Sequence, residues 1–376
     1  MDQTRRQLQL STATHPLTRR HLLCALASGL PALALPAAAW ATQGVPGPQV
    51  ARRWDSGNTL LAPLTAHGAD VLFAGDHGLG RIDPAQALPV WHTAHGLSRE
   101  AVFRPRVAGE LVLCGGLDAI GAWHLARGDR RWIYLAQTQL GVPWATPEHT
   151  YVGDGHHMLC LDNASGTVRW RFAGTPDTLT AYAPTLSQNT LLFAPGNGLL
   201  YALDAGQGQL KWQLDRSHEW QYLRQLHVSG EVLVAGSYKE LLYGISVHDG
   251  RVLWTFNAGN FINSHHVAGD TAYLWSPTGW VYAIDIQNGS VRWRHRTTNY
   301  RSALANWGPL MAELVTDKAY LYALDMNQVL HVLDRQSGEE VQRLVMPQSM
   351  RPTVVPFAGR QAMLASDAGE VLLVRW

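Results

Sequence analysis

Histidines, carboxylates and a scatter of arginines among aromatic side chains are the residues of this chain able to carry chemistry. Histidine is abundant, 17 in all, with pairs at His156-His157 and His265-His266. Adjacent residues on a strand point to opposite faces, so neither pair readily chelates one ion. No His-x-x-x-His helix face, Cys-x-x-Cys pair or loop of alternating Asp accompanies them, so no metal site is expected. The sequence also has no Gly-x-Ser-x-Gly elbow and no phosphate-cradling glycine loop. Asp83, Asp162, Asp204, Asp285 and Asp334 recur in register at the ends of apolar runs. A carboxylate used once per repeat is expected to bond the turn that follows it. No catalytic residue is assigned.

The arginines and aromatics are more suggestive. Arg104, Trp144, Tyr182, Trp220, Tyr222, Arg224, His265, Tyr300, Arg301, Trp307 and Arg351 lie just before, or at the start of, successive apolar runs. Gathered at one mouth, they would suit a planar anion, a peptide or a partner's loop. The alternative is that they are loop residues that are solvated or pack the interior.

What must position them is a repeat. Ala202, Asp204, Gly208 and Trp212 define a frame that returns as Ala283, Asp285, Gly289 and Trp293, and as Asp162, Gly166 and Trp170. Weaker copies end at Trp91, Trp132 and Trp254, and one around Asp334 has Gln342 in the Trp place. Each copy holds apolar runs separated by Gly, Asn and Asp, which read as strands and turns. The Gly adopts positive φ cheaply, and the Trp can cover a seam between neighbouring sheets. A period of roughly 40 residues with four strands per unit predicts an all-β propeller. Val50 to Trp54 reads as a closing strand with no unit before it, and the C-terminus lacks one. The N-terminal strand is therefore expected to complete the last blade and close a ring of eight, with seven as the runner-up.

Residues 1–41 read as a cleaved export signal. Arg19-Arg20 precede an apolar, Ala-rich stretch and the cleavage pattern Ala39-Trp40-Ala41. The paired arginines resemble a twin-arginine signal, with the general secretory route as the alternative. Residues 42–376 then form one periplasmic propeller domain, expected to be monomeric and without a transmembrane segment. Charge is close to balance, at 30 basic and 29 acidic residues, which argues against nucleic acid as a partner. Beyond the signal only Cys114 and Cys160 remain. They read as buried small thiols, and a disulfide between blades stays open.

The Asp, Gly and Trp frame resembles the tryptophan-docking repeat of pyrroloquinoline quinone (PQQ) alcohol dehydrogenases. In length and style the chain is similar to the propellers of outer-membrane protein assembly factor B. The first resemblance implies a quinone cofactor under an adjacent Cys pair, with calcium held by Glu, Asn and Asp; this chain has no adjacent cysteines. The second implies a propeller that binds other proteins without catalysis. The expectation is a protein- or peptide-binding scaffold with no cofactor. The alternative is a small quinoprotein-like redox enzyme or PQQ binder.

Overall fold

The computed structural model describes residues 47–376 apart from 98–101, 221, 238–239, 260–261, 263, 277, 298–312 and 326. The export-signal stretch lies outside the described residues. Every element among those described is a strand, and the strands form eight antiparallel sheets of four. After β1 (Gln49–Asp55), the first blade runs from β2 (Thr65–His67) to β5 (Trp91–Ala94). The second runs from β6 (Arg106–Ala108) to β9 (Arg130–Leu135), and the third from β10 (Trp144–Ala145) to β13 (Val168–Ala173). The fourth runs from β14 (Thr185–Ser187) to β17 (Leu210–Asp215), and the fifth from β18 (Leu223–Ser229) to β21 (Val252–Asn257). The sixth runs from β22 (Ser264–Ala268) to β25 (Val291–Arg296), and the seventh from β26 (Leu314–Thr316) to β29 (Glu340–Val345). The eighth joins β30 (Val355–Phe357), β31 (Gln361–Ala365) and β32 (Glu370–Arg375) to β1. The molecule is an eight-bladed β-propeller. The pairing of Val50 with Val374 and of Trp54 with Val371 closes the ring with the N-terminal strand.

The core lies between blades. Middle strands are buried on both faces, while outer strands alternate, as in Leu210–Asp215. Leu192, Leu200 and Ala202 of the fourth blade pack with Leu233, Tyr243 and Ile245 of the fifth. The repeat frame explains how the seams are sealed. Trp170 Nε1 donates to Ala205 O at 3.0 Å, Trp212 Nε1 to Val247 O at 3.1 Å and Trp254 Nε1 to Ile286 O at 2.7 Å. Trp91, Trp132 and Trp293 make the same bond to Leu125, Asn163 and Arg335. Each acceptor follows the turn-capping position of the next blade. The next blade's Gly lies beneath the indole. A Cβ on Gly208 would sit 2.6 Å from the Trp170 ring, and φ there is +71°. Gly166 and Gly289 are placed likewise under Trp132 and Trp254.

The small residue of the frame also has a cause. Trp212 pairs with Ala202, Trp170 with Cys160 and Trp293 with Ala283, each beside a β-bulge. In the fifth blade even a Cβ is excluded, because one on Gly244 would meet Trp254 at 2.1 Å. The Asp residues bond their turns as expected. Asp204 Oδ1 accepts from the N–H groups of Gly206 (3.0 Å) and Gln207 (2.9 Å), and Asp334 Oδ1 from Gln336 (2.9 Å) and Ser337 (2.8 Å). Hydrogen bonds from the Ser165 hydroxyl and N–H hold the Asp162 carboxyl below its usual range, and those from Arg292 and the Gln287 N–H do the same for Asp285.

The frame is interrupted on either side of the closing blade. Gln342 of the seventh blade replaces the indole. At the other seam Trp54 is buried, yet its Nε1 has no hydrogen-bond partner. There Pro84 follows Asp83 and Ala87 holds the Gly place. The turn closes through Gln86 N–H to Asp83 O (2.9 Å), one residue shorter than the Gly208 N–H to Asp204 O bond (2.7 Å). Cys114 and Cys160 are both buried and free. Burial pushes the Cys160 thiol up to about 12 and the Cys114 thiol higher still.

Candidate functional site: the loop end and the channel wall

Antiparallel alternation puts every loop that leads into an innermost strand at one end of the ring, with the turns joining second and third strands. The Asp-Gly turns lie at the other end. Six of the sequence-flagged residues, Arg104, Tyr182, Trp220, Tyr222, Arg224 and Arg351, belong to this loop end or the first turn of the strand after it. Tyr300, Arg301 and Trp307 lie outside the described residues.

The chain uses these residues in different ways. Trp220 was expected on a partner surface, and the structure corrects this. It is 2% exposed, stands edge-on to Tyr243 at 4.8 Å and donates from Nε1 to Gly198 O at 2.6 Å. The loop folds back through Trp220 N–H to Arg216 O (3.0 Å), which turns the indole into the seam. His265 is corrected likewise: it is 3% exposed, with neither ring nitrogen hydrogen-bonded. Burial holds it well below its ordinary pKa, so it is a neutral packing group. Arg351 is partly structural, since its Nε donates to Leu61 O of the first blade at 3.0 Å. Tyr182, Tyr222 and Arg224 are half-buried, with the Tyr222 ring lying over Gly196.

Arg104 and Trp144 reach the channel. Arg104 spans from the second blade to the seventh, pairing with Glu313, and donates to Thr353 Oγ1 of the eighth at 3.2 Å. Burial, with the Arg106 charge behind it, draws its pKa down to about 10. Below this bridge lies a cavity of about 500 Å³ walled by innermost strands of five blades, with Thr65, Arg106, Trp144, Val315 and Val355 among its residues. These five occupy one equivalent register position, opposite Leu72, Leu113, Tyr151, Tyr322 and Met363. His227 and His266 hold that position in the fifth and sixth blades, opposite Val234 and Tyr273. Their rings are 6.0 Å apart, and a His266 ring nitrogen meets Thr316 Oγ1 at 3.0 Å. Burial, then the charge of His266, takes His227 down to about 4; burial, then Arg335 and Arg104, does the same for His266. No group of three or more His, Cys, Asp or Glu among the described residues is arranged to hold a metal ion. The two free thiols sit in different blades, in β-strands Leu111–Gly115 and His157–Asp162, and neither lines the cavity.

Arg106, His227, Glu313 and Arg335 were not singled out in the sequence, and His266 was named there only as half of a histidine pair. A signal existed for three of them. Counting back from each repeat tryptophan by nearly the same interval lands on the channel position, from Trp132 to Arg106, Trp254 to His227 and Trp293 to His266. Glu313 and Arg335 offer no such pattern.

Fold and frame together define a propeller built from PQQ-like repeats, and the comparisons agree. The family profile described as outer membrane protein assembly factor BamB matches residues 118–227 and 159–375. The chain belongs to that family. BamB of Yersinia pestis is 29% identical over 101 residues, which is 24% of this chain and 26% of that relative's length. BamB of Moraxella catarrhalis shares the fold with a TM-score of 0.66 at 16% identity, over 88% of this chain and 98% of that one. The fold also matches a computationally designed protein, Ika8 (TM-score 0.74, 14% identity, 87% and 100% of the chains). Sqt1 of Saccharomyces cerevisiae matches at a TM-score of 0.71 and 12% identity, over 87% and 98% of the chains.

Proposed function

We propose that the protein is an exported, non-catalytic scaffold that holds a protein partner at the loop end of its ring. The observation that carries this reading is the use made of the repeat residues. The Asp groups bond turns, the Gly and Trp groups seal seams, and what differs from blade to blade is the loop end with Tyr182, Tyr222 and Arg224. Membership of the family described as an outer membrane protein assembly factor supports a partner from outer-membrane protein assembly. Fold by itself decides no function, but half-exposed tyrosines beside an arginine are the residue types that anchor interfaces. The first 41 residues act as the export signal, leaving a monomer in the periplasm.

Co-purification from the protein's own cells, with partners identified by mass spectrometry, tests this. The intact protein should bring down a component of outer-membrane protein assembly. A variant combining Tyr182→Ala, Tyr222→Ala and Arg224→Glu should lose it while keeping its ring closed by circular dichroism. Undiminished capture by the variant would remove the loop end from the account.

A further inference from the structure

Among the described residues of the channel wall, Arg106 carries a guanidinium nitrogen that no protein group accepts from. Its guanidinium lies over the Trp144 ring, 5.4 Å from the centroid, and its Nε is buried without a hydrogen-bond partner. Burial draws its pKa down, and no neighbouring carboxylate acts to hold it up. The carboxylates nearby are engaged elsewhere. Glu313 is bridged to Arg104. Asp317, also in the cavity wall, accepts from Ala319 N–H, Tyr320 N–H and Tyr322 O–H at 2.7 to 2.8 Å. A buried donor with no acceptor is costly, and a charged one more so. A guanidinium offers a planar fork that fits a carboxylate, and its flat face stacks on an aromatic ring.

The space beside it is of ligand size. A cavity of about 500 Å³ falls within the range of small-molecule sites, which are mostly apolar with few fixed polar groups. Here the apolar wall is Val315, Val355 and Pro356, with the Trp144 ring across from the same space. Thr65 donates its hydroxyl to Pro105 O at 2.6 Å.

We propose that the channel binds a small organic carboxylate, its anionic end paired with Arg106 and its flat apolar body against Trp144, Val315 and Val355. The site stands independently of the scaffold reading, because it lies inside the ring wall and uses none of Tyr182, Tyr222 and Arg224.

Isothermal titration calorimetry on the full protein tests it, with benzoate as the probe. Benzyl alcohol supplies the same body without charge, and inorganic phosphate supplies charge without the body. Benzoate should bind saturably at one site, with both controls about tenfold weaker or more. Arg106→Gln should weaken benzoate by about tenfold or more, the scale of one charge-assisted pairing. Arg106→Lys, which keeps the charge but not the fork or the stack, should fall between. Absence of saturable benzoate binding overturns the proposal. So does equal binding of either control, or unchanged affinity in folded R106Q. If R106Q does not fold, R106K decides, since undiminished affinity there would equally remove the forked contact. Partner capture measured on the same variants should be unaffected, which separates failure of this site from failure of the scaffold reading.

Discussion

Single residues here do more for the ring than their types suggest, and Trp220 shows it most plainly. An aromatic set among charged loop residues reads as a surface anchor, but the Arg216 turn drives it into the seam with Tyr243. Trp220→Ala should destabilise the protein by about 3–5 kcal/mol, the usual range for emptying such a site, measurable as a lower urea midpoint. Trp54 and Trp212 make a sharper pair. Both cover a seam, but only Trp212 has a partner for its N–H. Trp212→Phe should therefore cost about 1 kcal/mol more than Trp54→Phe, the net worth of one hydrogen bond. Equal losses would mean that the indole N–H contributes nothing.

His331 gives the residue scale a pH dependence. It is fully buried between Asp325 Oδ2 at 3.3 Å and Glu340 Oε1 at 2.6 Å, with Arg343 bonded to Glu340 and the Trp275 ring edge-on. Burial alone would lower its pKa, but the hydrogen bonds to Asp325 and Glu340 prevail and raise it. A raised folded-state value stabilises fully below the unfolded value of about 6.5 and is lost as pH climbs through the folded value. His227 and His266 work in the opposite sense. Their values near 4 mean that stability is lost as pH falls from about 6.5 toward 4. Thermal unfolding should thus show a loss on each side of neutrality, and His331→Gln should flatten the alkaline side alone. A variant that still loses stability with rising pH as the parent does would place that slope elsewhere.

At the scale of elements, the repeat was legible because one physical need recurs. A large indole at each outer strand requires a small residue opposite, a positive-φ glycine beneath and a carbonyl ahead, so Ala202, Gly208 and Trp212 return in register. The innermost strands were not legible in the same way. They are short, as in Trp144–Ala145, and face a channel that constrains size but not type, so Thr65, Arg106, Trp144 and His227 share a position without sharing chemistry. Arg104 was found but its reach was not, because its partner Glu313 lies five blades on in sequence and comes near only when the ring closes. Two element-level outcomes follow. Gly208→Ala forces a Cβ into the Trp170 ring at positive φ and should lower the melting temperature, whereas Gly230→Ala, with no atom within 4 Å of its Cβ, should carry only the φ penalty. Removing residues 42–55 takes away β1 with Trp54, bares the edge of β32 and uncovers the apolar residues that Trp54 packs against, Val371 and Leu373 among them. Unfolding should lose its single cooperative transition and the protein should aggregate through the open edge.

For the whole molecule, closure is what lets eight similar sheets act as one body. Each blade leaves two apolar faces that only its neighbours can cover, and pairing Val50 with Val374 joins the first described strand to the last. Such a ring can vary its loop end and channel wall without disturbing its seams. Recognition at that end and a ligand site inside can then coexist. No helix among the described residues is long and apolar enough to cross a membrane. In the proposed scaffold reading, capture of the protein partner belongs to the loop end. Native mass spectrometry of the protein, gently released from its own cells, tests that claim most directly. The account predicts a complex with a polypeptide of outer-membrane protein assembly that disappears with Tyr182→Ala, Tyr222→Ala and Arg224→Glu together. A chain that carries no polypeptide, or one whose complex survives those three changes, would contradict it.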